Sequence, residues 1–229
     1  MSRIPIINFD TNVEMPRKVE AWPNVVRMGI FGPSGAGKTN ILLTFLTYRK
    51  PLFRNIYLCS KTAYQEKYTL LKNAIDEYNR EKRNRKKERI TFHYITVDEI
   101  PEPENIEENS IIIFDDVLTE KQDRIANFFL RGRHRHISCV YISQSFTKLN
   151  RKNCIRSNLN YLILLKQDAI NLRQIFTEFI TDLTWERFKE LANEAWKKPF
   201  NFLTLDLENI KCKYKKNFDC NLLTDLQND

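Results

Sequence analysis

Glycine is scarce in this chain, five residues in 229, and its eight prolines are dispersed. Both facts exclude collagen-like and low-complexity architectures. No apolar run approaches the roughly 20 residues needed to span a bilayer, so no membrane-spanning segment is expected. The opening residues, MSRIPIINFD, lack the charged, apolar and small-residue regions of a signal peptide. Five cysteines (Cys59, Cys139, Cys154, Cys212 and Cys220) contain no C-x-x-C pair. Such an odd, scattered set is expected to be reduced thiols of an intracellular compartment. Acidic residues also run short, 29 against 37 Lys plus Arg, for a net charge of +8. That excess is compatible with a polyanionic partner without identifying one.

Enough apolar residue is present, 42%, for a sizeable core, and the length suits one α/β domain. The expected organisation is a single domain over 1–229, with its core at about 24–206 and a C-terminal tail over 207–229. NVVRMGIFG (24–32) reads as a buried strand feeding a glycine-rich loop, and TNILLTFLTYR follows with helical spacing until Pro51. NIYLCS, ITFHYIT, SIIIFDD, ISCVYISQ, NYLILL and NFLTLDL are further short apolar stretches. Helical patterns lie between them, one placing Tyr64, Tyr68, Leu71 and Ile75 on a common face. Strands that are nearly unbroken apolar runs, alternating with helices, predict a mostly parallel sheet covered on both faces. From Asn209 the periodicity fades, and a loosely ordered tail is expected.

GPSGAGKT (Gly32, Pro33, Ser34, Gly35, Ala36, Gly37, Lys38 and Thr39, then Asn40) fits G-x-x-x-x-G-K-[ST] in full, between a strand and a helix. Backbone N–H groups of such a loop turn inward around phosphate, helped by the helix N-terminus. Lys38 is expected on the β- and γ-phosphates, and Thr39 on Mg²⁺. SIIIFDD supplies the acidic partner. Its strand delivers Asp115 to the carboxyl edge of the sheet as a second Mg²⁺ ligand. Asp116 follows, where a glutamate commonly activates the attacking water in P-loop ATPases carrying an additional strand. The shorter Asp116 leaves open a role as a turn cap, with Glu120 a weak substitute base. ISCVYISQ would be that additional strand, between the P-loop strand and the SIIIFDD strand, carrying Gln144 to the γ-phosphate as sensor. The core strand order is then 5-1-4-3-2. A GTPase is disfavoured because LKQD has Leu165 where the guanine-reading motif needs a hydrogen-bonding side chain, and DDVL lacks the glycine of D-x-x-G. Nothing suggests the lid or acceptor site of a small-molecule kinase.

Arg131–His136, RGRHRH, holds three arginines and two histidines. His134 and His136 share a strand face, yet no Cys, Asp or Glu lies near in sequence to complete a zinc site. DNA contact, an arginine finger and plain structural ion pairs stay open from the residues alone. NREKRNRKKER (79–89) carries seven basic residues against two acidic ones, a pattern of solvated faces and of phosphate contacts alike.

Together, GPSGAGKT, IIIFDDV, FFLRGRHRHISCVYISQSF and CIRSNLNYLILLK resemble the viral genome-packaging ATPases of the FtsK–HerA superfamily, in its poxvirus-type branch with virophage and Polinton/Maverick relatives. The resemblance covers about 25–166. It implies a homo-oligomeric ring, pentamer or hexamer, that uses ATP and Mg²⁺ to pump double-stranded DNA into a preformed viral capsid at a portal vertex. It also implies residence in host cytoplasm or nucleus at virus assembly sites. On that resemblance Arg133 matches the second arginine of the family's R-G-R-H and is the expected finger acting on a neighbour's phosphates, with Arg131 in reserve. Arg80, Lys82, Arg83, Arg85, Lys86, Lys87 and Arg89 become candidate DNA or portal contacts. The alternative is a nucleotide-gated DNA-binding or capsid-assembly adaptor with little hydrolysis.

Overall fold

A computed structural model describes residues 17–48, 52–62, 65–81, 89–149, 152 and 154–220. One sheet of eight strands organises the chain. The strands are β1 (Arg27–Phe31), β2 (Asn55–Ser60), β3 (Thr91–Ile95), β4 (Ser110–Asp115), β5 (Ser138–Ser143), β6 (Tyr161–Leu164), β7 (Leu203–Asp206) and β8 (Tyr214–Lys216). Their spatial order is β3-β2-β4-β5-β1-β6-β7-β8. The first six, in spatial order from β3 to β6, run parallel, whereas β7 and β8 add antiparallel. The expected 5-1-4-3-2 order is the stretch β6-β1-β5-β4-β2. One parallel strand extends it at one end and a hairpin-like pair extends it at the other.

Successive side chains of a strand point to opposite faces, and here both faces are apolar. Ile112 and Phe114 of β4, Cys139 and Tyr141 of β5, and Leu162 and Leu164 of β6 join one core. It is closed by α3 (Asp123–Arg131), α4 (Ala169–Phe179) and α5 (Trp185–Ala195) through Phe128, Phe129, Ile175, Phe188 and Leu191. Ile111, Ile113, Val140, Ile142, Tyr161 and Ile163 face the other core. There α1 (Lys38–Thr47) contributes Leu42 and Phe45, and α2 (Glu66–Glu81) contributes Tyr68, Leu71 and Ile75. Burial on both sides explains why these strands read as continuous apolar runs without alternation. No helix among the described residues is long and apolar enough to cross a membrane.

Two expectations fail at the C-terminal side. The tail is not loose as far as residue 220: Tyr214–Lys216 forms β8 against β7. Its pattern was hidden because the inward residue is charged. Lys215 is buried, and its Nζ lies 2.8 Å from Asp206 Oδ2. Arg17 completes the cluster with two guanidinium contacts to the same carboxylate, at 2.5 and 2.9 Å. Nor are all five cysteines free thiols. Cys212 and Cys220 are joined in a disulfide that closes the turn around β8, leaving Cys59, Cys139 and Cys154 free.

Candidate nucleotide site

The parallel strands end at one edge, and the loops there carry the chemistry. β1 leads into Gly32, whose N–H donates to the Ser143 carbonyl at the end of β5 (3.3 Å). A side chain at Gly32 would come 2.6 Å from Leu165 Cβ, so the close approach of loop and β6 end requires glycine there. Gly37 takes φ +104°, a conformation suited to glycine, immediately before α1. No side chain caps that helix N-terminus and its first turn has no acidic residue. Its orphan N–H groups and partial positive charge therefore face the loop interior, as anion binding requires.

Lys38 bends back over its own loop, Nζ donating to the carbonyls of Gly32 (2.7 Å) and Pro33 (2.8 Å). Burial pushes the Lys38 ammonium pKa down, opposed by the nearby charges of Asp115 and Asp116. Asp115 ends β4 and is buried, as the apolar strand implied. Burial raises its carboxyl pKa, and the Asp116 charge adds to this, while a hydrogen bond from Tyr68 works against it. Asp116 is exposed and takes φ +56°, a left-handed conformation that costs a non-glycine residue energy, although Asp tolerates it better than most. Gln144 follows the last residue of β5 and is exposed at the same edge. Lys38, Thr39, Asp115, Asp116 and Gln144 thus share one edge. Glu120 instead makes an ion pair with Lys61, whose Nζ also donates to Thr119 Oγ1.

Tyr68 is the residue that sequence reasoning placed in the core and nowhere else. It is fully buried on α2, and its hydroxyl donates to Asp115 Oδ2 at 2.5 Å. Burial and the neighbouring Asp115 carboxylate push its pKa up. One phenol therefore fixes one of the two expected metal ligands. The signal was available, since a tyrosine on a buried helix face needs a partner for its O–H. The Thr39 hydroxyl and the Asp115 carboxylate, oxygen donors of different type at one edge, suit a hard cation that keeps part of its water shell, as Mg²⁺ does.

The arginines lie elsewhere. Gly132–Arg135 forms a 3-10 turn that precedes β5, at the amino edge of the sheet. A strand of six residues, roughly 20 Å long, separates that turn from Gln144. Arg133 is exposed there, and its charge is felt by Arg27 at the start of β1. Neither Arg133 nor Arg131 approaches the phosphate loop of its own chain. Arg131 reaches Glu102 (3.5 Å) and Glu104 (3.3 Å), all three side chains about half exposed. Gly132 closes α3 with φ −57°, and a side chain there would meet the Ile137 carbonyl at 3.3 Å. The left-handed turn falls instead on His136, φ +51°. No cluster of three potential metal ligands occurs among the described residues, so the histidine pair gains no partners.

Of the basic run, Arg80 and Arg89 are exposed near α2, whereas Lys82, Arg83, Arg85, Lys86 and Lys87 lie outside the described residues. Between β5 and β6, Arg156 is buried. Its guanidinium makes two bonds to Glu178 (3.1 and 2.6 Å), one to the Leu149 carbonyl, and lies 4.0 Å over the Phe146 ring. It holds the fold together.

Comparison with known proteins finds one family and structures of the same fold. The family model described as Poxvirus A32 protein matches residues 18–181. Among curated proteins none matches. Three solved structures share the fold at low identity. The genome packaging NTPase B204 of Sulfolobus turreted icosahedral virus 2, in complex with AMPPCP, has TM-score 0.55 and 12% identity, covering 84% of this chain and 97% of that one. The DNA-packaging ATPase B204 of Sulfolobus turreted icosahedral virus has TM-score 0.52 and 13% identity, covering 81% and 93%. VirB4 of Thermoanaerobacter pseudethanolicus has TM-score 0.52 and 12% identity, covering 83% and 91%.

Proposed function

Because the chain belongs to the Poxvirus A32 protein family, we propose that it is an ATP-hydrolysing motor that drives double-stranded DNA into a preformed viral capsid. The observation that carries this reading is the gathering of Lys38, Thr39, Asp115, Asp116 and Gln144 at one sheet edge. The relatives of like fold named as packaging NTPases support it.

In this reading the phosphates lie in the Gly32–Thr39 loop, beneath the N–H groups of α1. Lys38 exchanges its two carbonyl acceptors for β- and γ-phosphate oxygens. Thr39 and Asp115 would hold Mg²⁺, which neutralises charge on those oxygens when bound. Asp116 accepts the proton of the water that attacks the γ-phosphorus, and the Gln144 amide orients that water. Arg133 stands a strand length from its own site, so its catalytic role is exercised on the site of a neighbouring subunit. A closed ring of subunits meets that need, and the resemblance to the packaging ATPases implies five or six of them. Contacts to DNA are made to phosphates, and are sequence-independent and salt-sensitive. Work at a capsid vertex in the infected cell is part of the same proposal.

The test is ATP hydrolysis with and without duplex DNA, on wild type and Asp116→Ala. The motor reading expects DNA-stimulated turnover that falls about 10²–10⁴-fold in the variant. Negligible wild-type turnover with DNA, unchanged by the substitution, would favour the nucleotide-gated adaptor. For the trans arginine, Arg133→Ala subunits are mixed with Lys38→Ala subunits. Partial return of activity is expected where an intact loop meets an intact finger, and co-assembly without rescue removes Arg133 from that role.

A further inference from the structure

The loop joining α5 to β7 is pinned at both ends to one residue. Trp196 Nε1–H donates to the Leu164 carbonyl at 2.8 Å, and Leu203, the first residue of β7, pairs with Leu164 across the sheet. The segment between them is therefore a short excursion beyond the carboxyl end of β6, next to β1 and its phosphate loop. Within it the Asn201 N–H donates to the Lys198 carbonyl (3.2 Å), closing a four-residue turn, Lys198-Pro199-Phe200-Asn201. Below it, Asn217 fixes Phe202 by bonds in both directions, at 2.9 and 3.1 Å.

Proline at the second position of such a turn is ordinary, but a left-handed third position belongs to Gly or Asn. Here that position is Phe200, with φ +65°. The sequence thus keeps a bulky side chain in a backbone conformation that penalises it. Packing does not account for this, because Phe200 is 71% exposed. What the ring does approach is the phosphate loop: its Cδ1 lies 3.5 Å from where a Cβ on Gly37 would stand.

The position relative to the triphosphate completes the argument. Asp115, Asp116 and Gln144 mark the β4–β5 flank of the loop as the γ-phosphate end. The triphosphate then runs over the N-terminus of α1, and the nucleoside leaves on the opposite flank, beside β6 and β7. Phe200 stands on that flank. We propose that Phe200 is the stacking platform for the nucleobase. Its exposed face offers sequence-tolerant π-contact, and no hydrogen-bonding group of the turn need read the base edge.

The proposal rests on the nucleotide reading above, and its test separates the two. Binding of a non-hydrolysable ATP analogue and of inorganic tripolyphosphate, each with Mg²⁺, is measured by calorimetry on wild type, Phe200→Gly and Phe200→Tyr. Glycine suits the left-handed position, so Phe200→Gly is expected to melt no lower than wild type. It should bind the analogue about 10-fold more weakly while tripolyphosphate affinity stays unchanged. Phe200→Tyr should bind both as wild type does. If wild type and Phe200→Gly bind the analogue equally, the platform is refuted and the nucleotide site stands. If wild type binds neither ligand, the phosphate-site reading falls and takes the platform with it. A change in assembly size with unchanged analogue affinity would make Phe200 a contact between subunits and also overturn the proposal.

Discussion

Asp206 and Asp115 are both buried carboxylates at strand ends, and their surroundings are opposite in kind. Asp206 lies between two cations: Lys215 touches one of its oxygens, and Arg17 engages both. Asp115 has a phenol as its close partner, a second carboxylate beside it, and a lysine whose ammonium is committed to loop carbonyls. The first carboxylate is matched by cations that touch it, whereas in the second cluster two carboxylates face one lysine. A buried charge with matched partners serves the fold, whereas one left with neutral donors and a like charge is arranged to receive something positive.

The contrast is broken most severely from the Asp206 side. Asp206→Ala strands Lys215 in the interior, and urea unfolding should show a loss of about 3–5 kcal/mol. Asp115→Asn should do the reverse, lowering kcat about 10²–10³-fold with little loss of stability. The sign follows from burial, which raises the Asp115 carboxyl above its unfolded value of about 3.9. A raised folded pKa means stability is fully present below the unfolded value and is lost as pH rises through the folded one. Wild type should therefore fall behind Asp115→Asn in melting temperature across that window. Tyr68→Phe sharpens the comparison by removing the hydroxyl that donates to Asp115. It should cost about 1.5 kcal/mol and raise the Mg²⁺ concentration needed for half-maximal hydrolysis several-fold. The smallest effect is expected at Arg131, whose partners are half exposed: Arg131→Ala should change stability by less than about 0.5 kcal/mol. A large fall in activity there, with stability intact, would hand it the finger role in place of Arg133.

The parallel part of the fold was legible because each strand is buried on both faces and the phosphate loop has a fixed spelling. Lys38, Thr39, Asp115 and Gln144 fall where strand ends put them, at positions that follow directly from apolar runs. Other features gave no such signal. Tyr68 reads as one more member of an apolar stripe, and only its hydroxyl separates it from Leu71. Lys215 reads as surface charge, because its carboxylate partner lies nine residues back on another strand. Arg156 sits in a segment that looks like a basic patch, and its partner Glu178 is brought to it by α4. Cys212 and Cys220 match no spacing motif, and their joining depends on how the chain turns around β8. Local pattern reveals what repeats along an element, but not which charge a distant element will supply.

β5 has a mechanical consequence. Every one of its six residues is buried, and it is hydrogen-bonded along its length by β1 on one side and β4 on the other. A strand held this way neither stretches nor slides past its neighbours, so the Gly132–Arg135 turn at one end and Gln144 at the other keep a fixed separation. β5 is a ruler set through the middle of the molecule, and the arginine-bearing turn cannot be brought to its own phosphate edge by any movement of that strand.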